Sequence, residues 1–154
     1  MRLAILTVAT TLTLLSAPAW AAADSDSPEA SASDTDYGAG VQAWKKKDWP
    51  QVLAHMSVVT QRDPNNADAW NFMGHAARQL GDMPNAFKHY GRALQINPKH
   101  RGAHEYIGEA YLMVGNLPKA EEHLKVLDKL CTLPCEEYTD LKAKVARYRA
   151  EHPA

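Results

Sequence analysis

The chain has 154 residues, of which 17 are lysine or arginine and 18 aspartate or glutamate, for a formal net charge of −1 and with two cysteines. That balance supplies no clustered cationic face for nucleic acid, and two cysteines fall short of a cysteine-based zinc site. After the amino-terminal segment no stretch is long and apolar enough to span a membrane, which takes roughly 20 predominantly apolar residues.

Met1 to about Ala23 has the layout of an export signal. A basic Arg2 precedes an apolar run from Leu3 to Ala17, and Pro18-Ala19-Trp20-Ala21 resembles a signal-peptidase site. Residues 1–23 are therefore expected to be a signal peptide cleaved after Ala21 or Ala23. The mature protein would be periplasmic or secreted, with no stable membrane insertion. An uncleaved anchor is the competing reading; it asks for a longer run and leaves the small-residue exit unexplained. No cysteine near the junction offers a site for a lipid. Residues 24–35 are acidic, serine-rich and lack large apolar side chains, so they are expected to form a disordered linker. Five of the acids lie between Asp24 and Asp36, which leaves the rest of the chain slightly basic.

Beyond the linker a period of 34 residues organises the sequence. It is clearest from Ala67 to Pro134, where Trp70, Met73, Gly74, Ala77, Gly81, Ala86, Tyr90, Ala93 and Pro98 recur as His104, Ile107, Gly108, Tyr111, Gly115, Ala120, Leu124, Leu127 and Thr132. Within 67–100, small and apolar residues fall at helical spacing up to Ala77, Gly81-Asp82 breaks the pattern, and a second run from Met83 ends at Asn97-Pro98. Each unit reads as two antiparallel helices of roughly 13 residues. Gly74 is expected to face Ala86, and Gly108 to face Ala120, so that the helices cross closely, with Trp70 and Tyr90 filling the space around them.

Counting back one period gives a degenerate first unit over about 33–66. Gly40, Ala43, Val52 and Pro64 stand where Gly74, Ala77, Ala86 and Pro98 stand, while Asp36 replaces Trp70 and Lys47-Asp48 replaces Gly81-Asp82. Pro50 suits the first turn of a helix, and Asn65-Asn66 supplies a turn and a cap. After the third unit, about 101–134, a capping helix is expected over 136–150. Its stripe is Tyr138, Leu141, Val145 and Tyr148, with Lys142, Lys144, Arg147 and Arg149 on the solvated side. One hairpin cannot bury its own apolar face, so the units must stack, and residues 36–152 form one domain.

Cys131 and Cys135 are the remaining local motif. An even count of two in an oxidising compartment suggests one disulfide, with Pro134 breaking the helix so that the pair can close. Over so short a loop the bridge contributes roughly 2 kcal/mol. Redox-active or copper-handling thiols stay open as the alternative, a metallochaperone or redox accessory role, as do free cysteines. His100 and His104 have a metal-compatible spacing, but His100 precedes its helix, and turn and packing roles fit both better. His123, beside Glu121 and Glu122, reads as part of an exposed helix face. No Ser-His-Asp order, phosphate-cradling glycine loop or positioned carboxylate pair stands out. No catalytic residue, metal site or cofactor is expected, and the chain is not expected to be an enzyme.

The spacing resembles the tetratricopeptide repeat, whose pattern is Trp-x2-Leu-Gly-x2-Tyr, then Ala-x3-Phe, then Pro. Trp70, Gly74, Ala86, Tyr90 and Pro98 carry the resemblance in the middle unit, with Met73 and Ala77 departing from it. Ile107, Gly108, Tyr111, Ala120 and Leu124 carry it in the third, with His104 and Thr132 departing. The resemblance implies an all-α fold, a right-handed superhelical stack of antiparallel helix hairpins, here closed by a C-terminal capping helix. It also implies that the first helix of each hairpin lines a concave groove.

Carried over position by position, the groove residues are Tyr37, Val41 and Trp44 with Lys45, then Asn71, His75 and Arg78 with Gln79, then Glu105 and Glu109 with Leu112 and Met113. Tyr37 and Trp44 would be anchors and Arg78 an orienting charge; packing of Trp44 against the second helix is the competing reading. In chaperone adaptors of this family, lysines and asparagines of the groove clamp a terminal carboxylate. Here Tyr37, Val41, Gly102 and Tyr106 take clamp positions and only Asn71 agrees, so that mode is not expected. The signal and the carboxy-terminal ending are similar to those of small exported bacterial members. The resemblance therefore implies a periplasmic scaffold that holds another protein or peptide of the cell envelope in its groove, with no nucleic-acid partner and with self-association left open.

Overall fold

The structure, a computed structural model, describes residues 28–133 and 135–153. The expected signal peptide and residues 24–27 lie outside the described residues. Seven helices follow one another: α1 (Pro28–Lys45), α2 (Trp49–Arg62), α3 (Ala67–Gln79), α4 (Met83–Ile96), α5 (Arg101–Met113), α6 (Leu117–Leu130) and α7 (Glu136–Glu151). No strand occurs among the described residues.

The start of α1 corrects the linker expected over 24–35, because residues 28–35 are helical. The composition that argued against a buried core does not argue against a helix. Proline, glutamate and two alanines stand among residues 28–32, a composition compatible with a helix start. Once the packed turns after Asp36 supply the nucleus, each residue added to the helix fixes little more.

The turns repeat as the sequence does. Gly81 and Gly115 sit at φ 81° and 77°, and Lys47 takes the equivalent place at φ 58°, a conformation that costs a side-chain-bearing residue roughly 1–2 kcal/mol. Asp48, Asn66, Asp82, His100 and Asn116 cap the helices that follow, each accepting a backbone N–H from three residues on. This satisfies one of the donors that every helix start leaves free. The even-numbered helices also begin with a proline in the first turn, Pro50, Pro84 and Pro118, where the missing N–H costs nothing.

Each hairpin, α1–α2, α3–α4 and α5–α6, packs on the next, and α7 packs on both α5 and α6. Val52 and Met56 anchor the first interface, Tyr90 and Ala86 the second, and Leu127 and Leu141 the last, all fully buried. Each large side chain contributes on the order of 1.5–3 kcal/mol.

The expected glycine contacts need correcting. A Cβ on Gly74 would come within 2.5 Å of the Tyr90 ring, and one on Gly108 within 2.6 Å of Leu141, so the nearest approaches are to Tyr90 and Leu141, where Ala86 and Ala120 were expected. An alanine methyl is too short to fill the crossing; the larger side chain does it, and in the third unit Leu141 reaches in from the capping helix. Trp70 is also not a central knob. Its indole N–H donates to the Pro64 carbonyl at 3.0 Å and its ring stacks on His89, half-buried at the edge of the hairpin.

Candidate functional site

The concave side is formed by α1, α3 and α5 and ends on α7. On α3, Asn71, His75 and Arg78 fall on one face, one turn apart; on α5, Glu105 and Glu109 do the same. All five, expected to point into the groove, are only 7–8% exposed. A side chain pointing into a groove is accessible only if the next helix leaves it so, and here α5 and α7 close over the layer.

That layer is a continuous polar network. The Trp44 indole N–H donates to His75 Nδ1 at 2.6 Å. Since an indole can only donate, Nδ1 carries no proton and the neutral ring holds its proton on Nε2. Burial, then the positive charges of Arg78 and Lys144, push the His75 pKa down to about 4. The ring stacks on Tyr106 at 4.8 Å and meets Trp49 edge-on at 5.2 Å. Arg78 Nη1 donates to Glu109 Oε2 at 2.6 Å and its guanidinium lies 5.6 Å from the centre of the Tyr106 ring. From α7, Lys144 also bonds Glu109 and stands 4.0 Å from Glu105. Burial, and after it the charge of Glu109, lift the Glu105 carboxyl to about 8.

Three depressions open around this layer. One, of about 300 Å³, lies at Trp44, Lys47 and Trp49 beside His75. A second, of about 380 Å³, is bordered by Val41, Trp44, Asn71 and Tyr106 and by Glu136 and Asp140 of α7. A third, of about 260 Å³, lies beyond the Arg78–Glu109 pair, against Leu112, Lys144 and Arg147. Val41 and Trp44 reach the second depression, whereas Tyr37 packs edge-on against Phe72 at 6.1 Å. Trp44 packs on Phe72 too, at 5.8 Å.

Sequence reasoning missed Phe72, Tyr106, Lys144 and Asp140. Phe72 and Tyr106 had a readable signal, since they stand 34 residues apart, in register with the repeat. Lys144 had none: its place on an apparently solvated face concealed its reach to Glu109. Arg149, read the same way, bonds Glu121 at 2.8 Å.

The histidines are used on the other side. His55, His89 and His123 recur at the period of 34, each on the second helix of its hairpin, facing Asp36, Trp70 and His104 on the first. His123 is not part of an exposed face: it is half-buried, with Nδ1 2.8 Å from His104 Nδ1. His104 Nε2 lies 2.9 Å from the Pro98 carbonyl. A carbonyl only accepts, so His104 protonates Nε2 and His123 donates between the rings. His100 caps α5 through Nδ1 and does not share a site with His104. Among the described residues no cluster of three potential metal ligands occurs. Cys131 and Cys135 are joined by a disulfide, with Cα atoms 5.8 Å apart.

The tetratricopeptide repeat family matches residues 67–100, the middle unit. No curated protein matches the chain. Among solved structures, the TPR2B domain of yeast Sti1, in complex with pHsp70, is similar over 77% of this chain and 99% of its own, with a TM-score of 0.70 and 19% identity. The first such domain of Spaghetti (RPAP3), bound to the HSP90 peptide SRMEEVD, covers 78% and 94%, with a TM-score of 0.69 and 17% identity. PcrH in complex with the chaperone binding region of PopD covers 77% and 91%, at 0.68 and 16%. At such identities the likeness is one of fold.

Proposed function

We propose that this chain, a tetratricopeptide-repeat protein with an all-α solenoid fold, is an exported scaffold that holds a segment of another envelope protein against its concave surface. One observation carries the reading: three side-chain-sized depressions surround a buried, hydrogen-bonded floor. A floor already locked by Trp44, His75, Arg78 and Glu109 loses little freedom when a segment docks, and pre-organisation of that kind favours binding. Two of the similar folds are solved with a peptide or a segment of another protein bound, which supports a peptide-sized occupant here. The SRMEEVD peptide carries two glutamates and an aspartate; Glu136 and Asp140 would repel such a ligand. Export is supported by the layout of residues 1–23 and by the Cys131–Cys135 bridge, a feature of oxidising compartments.

Photo-crosslinking tests the reading. A benzoylphenylalanine at Val41 or Leu112, on the concave side, should capture the same envelope protein, and one at Lys125 of α6 should not. Equal capture from all three positions would remove the groove from the account.

A further inference from the structure

The depression between α1, α3, α5 and the start of α7 has aromatic walls and an acidic rim. Trp44, Phe72 and Tyr106 form the walls, and Glu136, Glu137 and Asp140 stand on the rim. Glu105 and Asn71 border it from below, each less than a tenth exposed. Asn71 Oδ1 has no hydrogen-bond partner. A buried acceptor left without a donor costs about 1–3 kcal/mol, so this atom is an unfilled demand for an N–H on a residue that borders the pocket.

The carboxylates are only partly neutralised. Glu137 shares Arg101 at 3.5 Å, while Glu105, its pKa raised to about 8 by burial and by Glu109, brings an acceptor but little charge. Glu136 and Asp140 have no ion pair among the described residues. Both stand near the start of α7, and Glu136 lies in its first turn, where the helix dipole favours negative charge. Net negative charge, aromatic faces and an unused acceptor all call for the same chemistry, a cation that carries N–H groups on an apolar stem.

Resting on the reading that a partner segment lies along the concave surface, we infer that this depression takes an arginine or lysine side chain of that segment. Its charged head sits between Glu136 and Asp140, an N–H donates to Asn71 Oδ1, and its stem runs along Trp44 and Tyr106.

The test titrates the ¹⁵N-labelled protein with acetyl-Leu-Arg-Leu-amide and with its citrulline and glutamate counterparts. The arginine peptide should give saturable shifts of the Asn71 side-chain amide and the Trp44 indole. Citrulline keeps the shape and N–H groups but not the charge, and its peptide should bind about tenfold more weakly; the glutamate peptide should not bind. Glu136→Gln with Asp140→Asn should bring the arginine peptide down to the citrulline level without lowering the thermal midpoint. If that variant loses its fold, the comparison of peptides on the unaltered protein decides alone. Equal affinity for arginine and citrulline, or shifts confined to other surfaces, would overturn the assignment. Selection from a phage-displayed random peptide library separates this inference from the scaffold reading. Binders that shift Val41 and Phe72 yet lack any basic residue refute the cationic pocket alone, whereas binders found only outside the concave side refute both.

Discussion

Asn71 and Glu105 hold equivalent places in successive units, as do His75 and Glu109 one turn further along. The first pair borders an open pocket, with the Asn71 acceptor unused. The second is equally buried and borders depressions of its own, but its polar groups are engaged: His75 is locked by Trp44 and Tyr106, Glu109 by Arg78 and Lys144. A single helical turn thus separates a row whose polar groups hold one another from a row that keeps an acceptor unused. Non-repeating polar residues of a solenoid are therefore not functional by default; what covers them decides.

The largest expected effect is on the engaged row. Glu109→Ala leaves the Arg78 guanidinium buried and unpaired and should cost about 3 kcal/mol or more by urea denaturation, as is usual for half of a buried pair. The same measurement on Asp140→Asn, in the open row, should move stability by less than about 0.5 kcal/mol. Similar losses in both would erase the distinction.

Next in size is the fastening of α7, whose Lys144 helps to hold the engaged row. Replacing Cys131 and Cys135 by serine should remove roughly 2 kcal/mol. Hydrogen exchange should quicken at Leu141 and Val145 before it does around Trp70. Uniform change, or none, would mean that the bridge does not fasten the cap.

The smallest effect is one of pH, and it runs oppositely in the two rows. Glu105 has its pKa raised from 4.5 to about 8, so its contribution to stability is complete below 4.5 and is lost as pH rises through 8. His75 is lowered from 6.5 to about 4, so its contribution is complete above 6.5 and is lost as pH falls through 4. Glu105→Gln should therefore recover on the order of 1 kcal/mol at about pH 8.5 and almost nothing at about pH 4, a figure discounted because the group borders solvent. A gain of the same size at both would show that Glu105 is not held protonated by its surroundings.

Much of the fold was legible because its period is written in small residues and turn breakers. Gly81 and Gly115 mark their turns by composition, and the 34-residue spacing carried the assignment to Lys47, where composition alone would not suggest a left-handed residue. The beginning of α1 was not legible, since low apolar content speaks to burial and not to helicity. At the site, the concave residues could be placed on their helix faces, but their burial could not be read. That depends on α7, whose pattern shows which side is apolar but not that Lys144 crosses to Glu109. A polar side chain at the margin of an apolar stripe carries no sign of which way it leans.

The histidine pairs on the outer side bear on the order in which the molecule is made. Asp36–His55 and His104–His123 join residues 19 apart within one hairpin, and Trp70–His89 has the same spacing. The concave contacts Trp44–His75 and Lys144–Glu109 join residues 31 and 35 apart, across neighbouring units. Shorter loops close at lower entropic cost, so a folding chain can zip each hairpin on its outer pair before any two hairpins meet. The concave floor comes into being only when the hairpins dock. A half-assembled molecule then has helices and turns but no concave floor, and the proposed docking surface exists only once the stack is complete.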